Sequence, residues 1–185
     1  MTTDAAALDQ LLLVRSVKHG DFVLASGRRS SFYIDCRLTT MSAEGLALVG
    51  RLGLAAIRSQ DWRPRGIGGL TMGADPVAYA IAAASMVDPP TIDAFSVRKE
   101  TKAHGAGRRI EGNFASGDPV VVVEDTITTG GSALKAIEAI QADGGVVLGV
   151  LAVVDREQGG RAALEAGGFS VVTLSNATRL GLVEK

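Results

Sequence analysis

Two carboxylates and a run of hydroxyl and glycine residues follow the most apolar strand pattern in the sequence. Val120-Val-Val-Val123 is followed by Glu124 and Asp125, and then by Thr126-Ile-Thr-Thr-Gly-Gly-Ser132. The turn predicts backbone N–H groups and hydroxyls that converge on one point, at the positive end of the next helix. Such a turn is typical of a phosphate site, and the adjacent carboxylates could accept hydrogen bonds from a vicinal diol. The pattern indicates a ribose phosphate, with an acidic helix cap and a tight glycine turn as the alternative.

A second glycine-containing turn, Gly68-Gly-Leu-Thr-Met-Gly73, also leads from a strand pattern into a helix pattern. Glycine lets the backbone approach an anion closely, so this turn could hold another phosphate group, with a plain strand-to-helix turn as the alternative. A Walker A motif is excluded because Ala74 and Asp75 stand where it requires Lys followed by Ser or Thr. A dinucleotide fingerprint is excluded because Thr71 occupies the place of its third glycine.

Cations are concentrated in the segment that begins at Arg98. Arg98, Lys99, Lys102 and His104 lie within seven residues, and glycines follow at positions 105, 107 and 112. We expect a mobile lid loop over residues 98–117, because cations on a mobile loop suit the capture of a polyanion and the exclusion of water. A solvated surface loop is the alternative.

Arg156 follows Asp155 at the end of another long apolar strand pattern. A guanidinium group can bind a planar carboxylate through two parallel hydrogen bonds, and we expect Asp155 to orient it. A surface ion pair between the two side chains is the alternative.

The composition argues against several classes of protein. The chain has 19 Lys and Arg against 20 Asp and Glu, which predicts neither a nucleic-acid partner nor an anionic membrane partner. Its one cysteine, Cys36, cannot form an internal disulfide, and the sequence shows neither a signal-peptide pattern nor an apolar run of bilayer length. These features predict a cytoplasmic protein.

The elements that position these residues alternate between strand and helix patterns. The spacing of apolar residues predicts an N-terminal helical segment that includes Val17 and ends at Gly20, a hairpin from Phe22 to Ile34, and a helix from Ser42 to about Ser59. Further strands are predicted at Arg65–Gly68, Thr91–Val97, Pro119–Glu124, Val146–Val154 and Ser170–Leu174, and helices at Asp75–Met86, Gly130–Ala142 and Gly159–Ala166. Strands that are apolar on both faces favour a doubly wound, mostly parallel α/β sheet flanked by helices, in a single domain over residues 1–185.

Several of these motifs resemble those of a known family. Residues 120–132 resemble the phosphoribosyl pyrophosphate signature of the type I phosphoribosyltransferases, and residues 98–105 are similar to the Arg-Lys-x-x-Lys-x-His-Gly segment of the orotate phosphoribosyltransferases. The turn at 68–73 resembles the family's pyrophosphate loop, and Val153-Val-Asp-Arg156 resembles its orotate-binding segment. Residues 20–35 resemble its N-terminal hood, which implies a type I phosphoribosyltransferase fold with a hood over residues 1–40.

The resemblance implies a specific reaction. The chain would transfer ribose 5-phosphate from 5-phosphoribosyl 1-pyrophosphate to N1 of orotate, giving orotidine 5'-monophosphate and pyrophosphate in the de novo synthesis of UMP. It would use Mg²⁺ and form a homodimer in which the lid loop reaches the neighbouring subunit's site. The alternatives are a type I phosphoribosyltransferase for another base and a non-catalytic regulator that senses phosphoribosyl pyrophosphate.

The resemblance also implies roles for individual residues. Lys102 and Asp125 are the expected catalytic residues. Contacts to phosphoribosyl pyrophosphate are implied for Thr71, Arg98, Lys99, Lys102, His104, Glu124, Asp125, Thr126, Ile127, Thr128, Thr129, Gly130, Gly131 and Ser132, and contacts to orotate for Phe32, Tyr33, Thr128 and Arg156. Mg²⁺ would be held mainly by the substrate, with Glu124 and Asp125 as the candidate protein ligands. Many family members have a substrate-contacting lysine where this chain has Ala25, so either Arg28 or Arg29 replaces it or the contact is absent.

Overall fold

The computed structural model describes residues 3–23, 29–100 and 109–182. Helix α1 (Thr3–Arg15) leads into an antiparallel hairpin of strands β1 (Val17–Val23) and β2 (Arg29–Ile34). The hairpin confirms the alternating pattern, but the expectation that the first helical segment includes Val17 is wrong. Val17 pairs with Ile34, and this pairing of two β-branched residues ends the helix before Gly20.

A second sheet forms the centre of the molecule. Its strands are β3 (Gly66–Leu70), β4 (Asp93–Val97), β5 (Ile110–Gly112), β6 (Pro119–Ile127), β7 (Val146–Asp155) and β8 (Val171–Asn176). Within the described ranges the strand order is β5-β4-β3-β6-β7-β8, and all neighbours are parallel except β4 and β5. The helices are α2 (Arg37–Thr40), α3 (Ala43–Ser59), α4 (Ala74–Val87), α5 (Gly131–Ala142) and α6 (Gly160–Ala166).

Strand β6 separates two hydrophobic layers, as expected for a central strand of a doubly wound sheet. Val121 and Val123 belong to the cluster that α1, α3 and α4 cover, whereas Val120 and Val122 belong to the cluster beneath α5 and α6. All four valines are fully buried. This alternation confirms the predicted fold class and fixes the end of β6 between the two helical layers.

The structure corrects two expectations about the segments around the site. Residues 110–112 form edge strand β5, antiparallel to β4, so the loop cannot extend unbroken to residue 117. Strand β6 runs on to Ile127 and not only to Glu124, because its last residues continue to pair with β7. Glu124 and Asp125 therefore lie within a strand, where the sheet holds their backbone.

Among the helices of the described chain, none is long and apolar enough to cross a membrane.

Candidate active site

The carboxyl ends of β3 and β6 open into a cavity of about 380 Å³. The sheet topology places the turn after each strand at this edge, where open α/β sheets bind their ligands. The cavity is lined by Tyr33, Ile34, Asp35, Arg37, Leu70, Thr71, Met72, Gly73, Lys99, Glu124, Asp125, Thr126, Thr128, Ser132 and Arg156. The fold thus brings together residues from the hairpin, both predicted phosphate turns, the start of the charged loop and the end of β7.

The turn after β6 forms a smaller cavity of about 210 Å³, with Thr128 and Ser132 lining both cavities. Its wall includes Thr129, Gly130 and Gly131, as the sequence predicted for a phosphate turn. Gly130 adopts φ +81°, a left-handed conformation that favours glycine, and α5 begins directly after it. The N–H groups at the start of this helix suit an anion.

Gly160, at the start of α6, supports this turn from behind. Its N–H donates to the Thr128 carbonyl at 2.9 Å, and an added Cβ would lie only 2.5 Å from the same oxygen.

Ile127, which was expected to contact phosphoribosyl pyrophosphate, has a side chain that is buried in the core. Its contribution to the site is therefore limited to the backbone. Lys135 also lines the smaller cavity, and the sequence reasoning missed it because it lies a turn beyond the motif on α5.

The two carboxylates at the end of β6 are held out of water. Glu124 is 6% exposed, and its Oε1 atom has no hydrogen-bond partner among residues 3–23, 29–100 and 109–182. Burial, and to a lesser extent the neighbouring Asp125, raises the pKa of Glu124 from 4.5 to about 8. Burial also raises the pKa of Asp125, although the Thr126 N–H donates to its Oδ1 atom at 2.8 Å. The pair therefore favours a partner that supplies hydrogen-bond donors or positive charge.

The two phosphate turns meet at Asp125. A Cβ atom added to Gly73 would lie 2.6 Å from Asp125 Oδ1, so only glycine allows this close approach. Thr71, in the same turn, lines the larger cavity as expected. The approach places both turns against one carboxylate, which suits a ligand that carries phosphate groups at both ends of a sugar.

Arg156 is buried at the end of β7, and the hairpin orients it. Its Nη2 atom donates to Ser30 Oγ at 3.3 Å and to the Phe32 carbonyl at 3.5 Å. The Asp155 carboxylate accepts a hydrogen bond from the Glu157 N–H at 2.8 Å, and the expectation that Asp155 orients Arg156 stays a prediction. The arginine is therefore positioned by a segment more than a hundred residues away in sequence.

The structure distinguishes the two aromatic residues that were expected to contact orotate. Phe32 is 2% exposed, and its ring centroid lies 4.9 Å from Arg156 Cζ, so the ring supports the guanidinium group from below. It is buried against Arg156 and cannot also serve as an open stacking surface. Tyr33 points the other way along β2, is 39% exposed and lines the cavity. The expectation of a stacking ring now applies to Tyr33 alone.

The charged loop is only partly covered by the described residues. Lys99 lines the larger cavity, whereas Arg98 Nη1 donates to Glu111 Oε1 at 3.0 Å. Arg98 also pairs through its backbone N–H with the Arg109 carbonyl, which fixes the start of the loop. Lys102 and His104 lie outside the described residues, as do Ala25 and Arg28.

Sequence reasoning missed two charged residues of the site, Asp35 and Arg37. Both line the cavity from the segment that joins β2 to α2. They form an ion pair, with Nε of Arg37 2.8 Å from Oδ1 of Asp35. The alternating pattern of the hairpin ends at Ile34, so the sequence carried no periodic signal that could place these side chains at the cavity.

A metal ion would find few ligands on the described part of the chain, where no group of three or more His, Cys, Asp and Glu side chains could hold one. Glu124 and Asp125 provide two adjacent carboxylates at the cavity, and one buried Glu124 oxygen lacks a partner. Mg²⁺ prefers oxygen ligands and is commonly bound through one or two carboxylates together with substrate phosphates. The residues present fit such shared binding.

Comparison with known proteins decides the family. No family model matches the chain. The chain is 41% identical over 183 residues to a protein named orotate phosphoribosyltransferase from Rhodopirellula baltica, covering 97% of this chain and 95% of the relative. The chain belongs to the orotate phosphoribosyltransferase family.

Solved structures of orotate phosphoribosyltransferases agree with the fold. The Mycobacterium tuberculosis H37Rv enzyme in complex with Fe(III) dicitrate superposes with a TM-score of 0.86 at 47% identity, covering 97% of this chain and 99% of that chain. The same enzyme in complex with 5-phospho-α-D-ribosyl 1-diphosphate superposes with a TM-score of 0.81 at 42% identity, with the same coverage. These matches confirm the family, the fold class and the pentosyltransferase reaction that the sequence motifs implied. The reaction joins orotate to ribose 5-phosphate in pyrimidine biosynthesis.

Proposed function

We propose that this orotate phosphoribosyltransferase binds phosphoribosyl pyrophosphate across its two glycine-containing turns and orotate against Arg156. The observation that carries the proposal is the single cavity lined by Thr71, Asp125, Thr128 and Arg156. The 5-phosphate would lie in the turn after β6, and the ribose hydroxyls would donate to Glu124 and Asp125. The pyrophosphate would lie against residues 71–73 and Lys99. C1 of the ribose would then face the base.

The residues act mainly by orientation and electrostatics. Displacement at ribose C1 passes through an oxocarbenium-like transition state, in which negative charge develops on the departing pyrophosphate. Lys99 and, by the family resemblance, Arg98, Lys102 and His104 would stabilise that charge, with Lys102 as the expected catalytic cation. Holding orotate N1 in line with C1 can contribute roughly 7–11 kcal/mol in the best cases. As the N1–C1 bond forms and the bond from C1 to pyrophosphate breaks, the N1 proton would pass to the departing pyrophosphate or to water. We therefore assign no protein side chain as a general base for orotate.

We further propose that the reaction uses Mg²⁺, held by Glu124 or Asp125 together with substrate oxygens. When bound, the ion would neutralise part of the pyrophosphate charge. The support is the pair of buried carboxylates, whose charged forms are disfavoured while no positive partner is near. Ionisation of both would become favourable beside a divalent cation.

We also propose a homodimer, formed through the face between α3 and α4. This face contains a groove of about 750 Å³ that is lined mainly by aliphatic side chains and Tyr79. Tyr79, Met86 and Val87 are 52%, 71% and 88% exposed, which is unusual for a cluster of large hydrophobic residues on one helix. A second copy of the chain would cover them.

This face is connected to the root of the charged loop. The Tyr79 hydroxyl lies 3.0 Å from Ser96 Oγ, and Ser96 donates to Asp75 Oδ1 at 2.7 Å. Ser96 precedes Arg98 by only two residues. A partner bound over Tyr79 would therefore lie next to the start of the loop, which supports the proposal that the loop serves the partner's site.

A buried free thiol at Cys36 suits the reducing cytoplasm in which we place the enzyme.

Orotate consumption, followed by absorbance with phosphoribosyl pyrophosphate and Mg²⁺, tests the proposed arrangement. We expect turnover of orotate and none of uracil or hypoxanthine, because neither of these bases has a carboxylate for Arg156. Arg156→Lys should lose most orotate turnover, because an ammonium group cannot form two parallel hydrogen bonds. Equal turnover of uracil and orotate would contradict the role given to Arg156. Unchanged turnover in Lys102→Ala would contradict the role of the loop.

A further inference from the structure

We propose that Arg37 is an additional substrate-binding residue, which donates hydrogen bonds to the pyrophosphate group of phosphoribosyl pyrophosphate. This inference rests on the proposed binding of that substrate in the cavity. Arg37 is the first residue of α2, and its side chain lines the cavity together with Thr71 and Lys99. It would supply a cation from the N-terminal segment.

The guanidinium group of Arg37 is held in one orientation by Asp35. Nε donates to Asp35 Oδ1 at 2.8 Å, and Nη2 donates to Oδ2 at 3.0 Å. The hydrogen bond from Arg37 lowers the pKa of Asp35, so the pair stays ionised at neutral pH. Nη1 has no hydrogen-bond partner in the described part of the chain. The fork is therefore fixed on one side and available to a ligand on the other.

The surroundings of Arg37 indicate which part of the substrate it meets. Arg37 and Asp125 both line the larger cavity. Asp125 itself lies against the turn at Gly73, the turn that we assign to the pyrophosphate. Arg156, in contrast, is bound to the hairpin through Ser30 and Phe32. We therefore assign Arg37 to the pyrophosphate end of the substrate.

The balance of acidic and basic residues that line the cavity also favours a cation at the position of Arg37. Among its described lining residues, the carboxylates are Asp35, Glu124 and Asp125, and the cations are Arg37, Lys99 and Arg156. Phosphoribosyl pyrophosphate carries three phosphate groups, and the pair of carboxylates at the end of β6 would repel them. Without Arg37 the described lining would have more acidic than basic side chains. Fixed cations beside the leaving group offset that repulsion.

Arg29 is a poor candidate for the same contact. Its Nη1 atom lies 2.9 Å from Asp21 Oδ2, on an exposed part of the hairpin, and its side chain is 77% exposed. It does not line the cavity. For the lysine that many family members have at the position of Ala25, Arg37 is therefore a better replacement than Arg29, while Arg28 lies outside the described residues.

The test compares two ligands that differ only in the pyrophosphate group. Binding of phosphoribosyl pyrophosphate and of ribose 5-phosphate, each with Mg²⁺, is measured by calorimetry for the unmodified enzyme and for Arg37→Gln. We expect phosphoribosyl pyrophosphate to bind about 10- to 50-fold more weakly to the variant, since charged hydrogen bonds contribute more than neutral ones. Binding of ribose 5-phosphate should stay within about twofold. The affinity of Arg37→Lys for phosphoribosyl pyrophosphate should lie between those of the unmodified enzyme and Arg37→Gln, because an ammonium group keeps the charge but cannot reproduce the paired hydrogen bonds of a guanidinium group.

Arg29→Gln is the matched control and should bind both ligands as the unmodified enzyme does. Unchanged binding of phosphoribosyl pyrophosphate to Arg37→Gln, or an equal loss for both ligands, would overturn the inference. If Arg37→Gln does not fold, as judged by its thermal transition, the same comparison is made with Arg37→Lys. If the unmodified enzyme bound phosphoribosyl pyrophosphate but did not turn over orotate, the proposed function would fail while the ligand comparison would still decide the role of Arg37.

Discussion

At the scale of single residues, the chemistry of the site begins with a carboxyl group that the fold keeps from ionising. Glu124 lies near the end of β6 with both sheet faces covered, and the charge that adds to the rise in its pKa is that of another carboxylate, Asp125. A side chain in this setting destabilises the protein without ligand whenever it is charged. The site is therefore prepared for a partner that the ligand-free protein lacks, and pH should reveal the effect.

Glu124→Gln should stabilise the ligand-free enzyme more at high pH than at low pH. The pKa of Glu124 is 4.5 in its ordinary state and about 8 in the folded protein, so between these values the folded state binds more protons than the unfolded state. The stability contributed by this group is therefore full below about pH 4.5 and is lost as pH rises towards 8. We expect the variant to gain roughly 1–3 kcal/mol over the unmodified enzyme between pH 5 and pH 8.5.

Thermal unfolding at several pH values, without ligand, measures this gain. Glu138→Gln, on the exposed surface of α5, is the matched control and should melt as the unmodified enzyme does at each pH. A difference in melting temperature between Glu124→Gln and the unmodified enzyme that is the same at pH 5 and pH 8.5 would show that Glu124 is not protonated in the folded state. Activity of the variant should fall, because its amide cannot supply a carboxylate to the ribose hydroxyls.

Residues of the site could be predicted from the sequence where a motif contains them, and not where only the fold brings them to the cavity. Glu124, Thr128 and Arg156 follow strand patterns in the sequence, and the structure places all three at one cavity. Arg37 and Lys135 follow no such signal, because a side chain beyond the periodic pattern reaches a site only through the path of the chain. Lys102 and His104 stay predictions.

At the scale of elements, the hairpin and the central sheet cooperate to build the orotate end of the site. Strand β2 alternates between buried and exposed positions, so Ser30 and Phe32 face Arg156 while Tyr33 faces the cavity. Ser30 Oγ donates to the Phe32 carbonyl at 2.7 Å, which fixes the hydroxyl oxygen as an acceptor for Arg156 Nη2. The hairpin therefore positions the residue that directly follows β7 without itself being part of the central sheet.

Ser30→Ala should weaken the binding of orotate and leave phosphoribosyl pyrophosphate unaffected. The variant loses one of the acceptors for Arg156, and a hydrogen bond of 3.3 Å to a charged group contributes about 1 kcal/mol. We therefore expect the KM for orotate to rise about fivefold. Ser31→Ala, one position along the same strand and on its exposed face, is the control and should leave both KM values unchanged. An equal rise in both KM values would instead indicate a general loosening of the hairpin.

The elements themselves could be predicted closely, and their ends less so. Strand β7 was expected at Val146–Val154 and is found at Val146–Asp155, because a buried apolar run leaves few other places for a strand. Strand β5 was not expected, since three residues give no periodic pattern and only pairing with β4 makes them a strand. Val17 was assigned to the helix, and its strand partner Ile34 could not be inferred from spacing alone.

At the scale of the whole molecule, a polar cluster joins α1 to the segment that follows β8, and two of its members, Asp9 and Ser175, are buried. Asp9 of α1 accepts hydrogen bonds from Ser175 of β8 and from Arg179, both at 2.7 Å. Arg179 also donates to the carbonyls of Leu174 and Ala5, so it connects the last strand to the first helix. This cluster anchors α1, on which the hairpin and the orotate end of the site depend.

Asp9→Ala should destabilise the protein without changing its catalytic parameters. The variant leaves Arg179 and Ser175 without their shared acceptor in a largely buried place, a change that costs about 2–4 kcal/mol. Urea unfolding measures the loss, and kcat and KM should stay unchanged at temperatures where the variant is folded, since none of these residues lines the cavity. Asp4→Ala, also on α1, breaks an exposed ion pair with Arg51 of α3 and should destabilise the protein much less than Asp9→Ala does. Equal losses in the two variants would contradict the role of the cluster.

The proposed dimer makes a prediction about mixed subunits. Lys102→Ala impairs the loop and leaves the rest of the site intact, whereas Arg156→Ala impairs the orotate end and leaves the loop intact. If each loop serves the partner's site, a dimer of one variant with the other contains one site that has both an unmodified loop and an unmodified Arg156. If each loop serves its own site, every site in the mixture carries one defect.

The two variants are unfolded together, refolded at equal concentration and assayed for orotate turnover. Random pairing gives mixed dimers in half of the molecules, each with one complete site, so activity should recover to about a quarter of the unmodified level. Each variant refolded alone is the control and should stay nearly inactive. Ala83→Glu places a charge in the groove between α3 and α4, so adding it to both variants should abolish the recovery. Recovery of activity that survives Ala83→Glu would contradict the proposed interface. If the two variants without Ala83→Glu show no recovery, the loop closes over its own subunit.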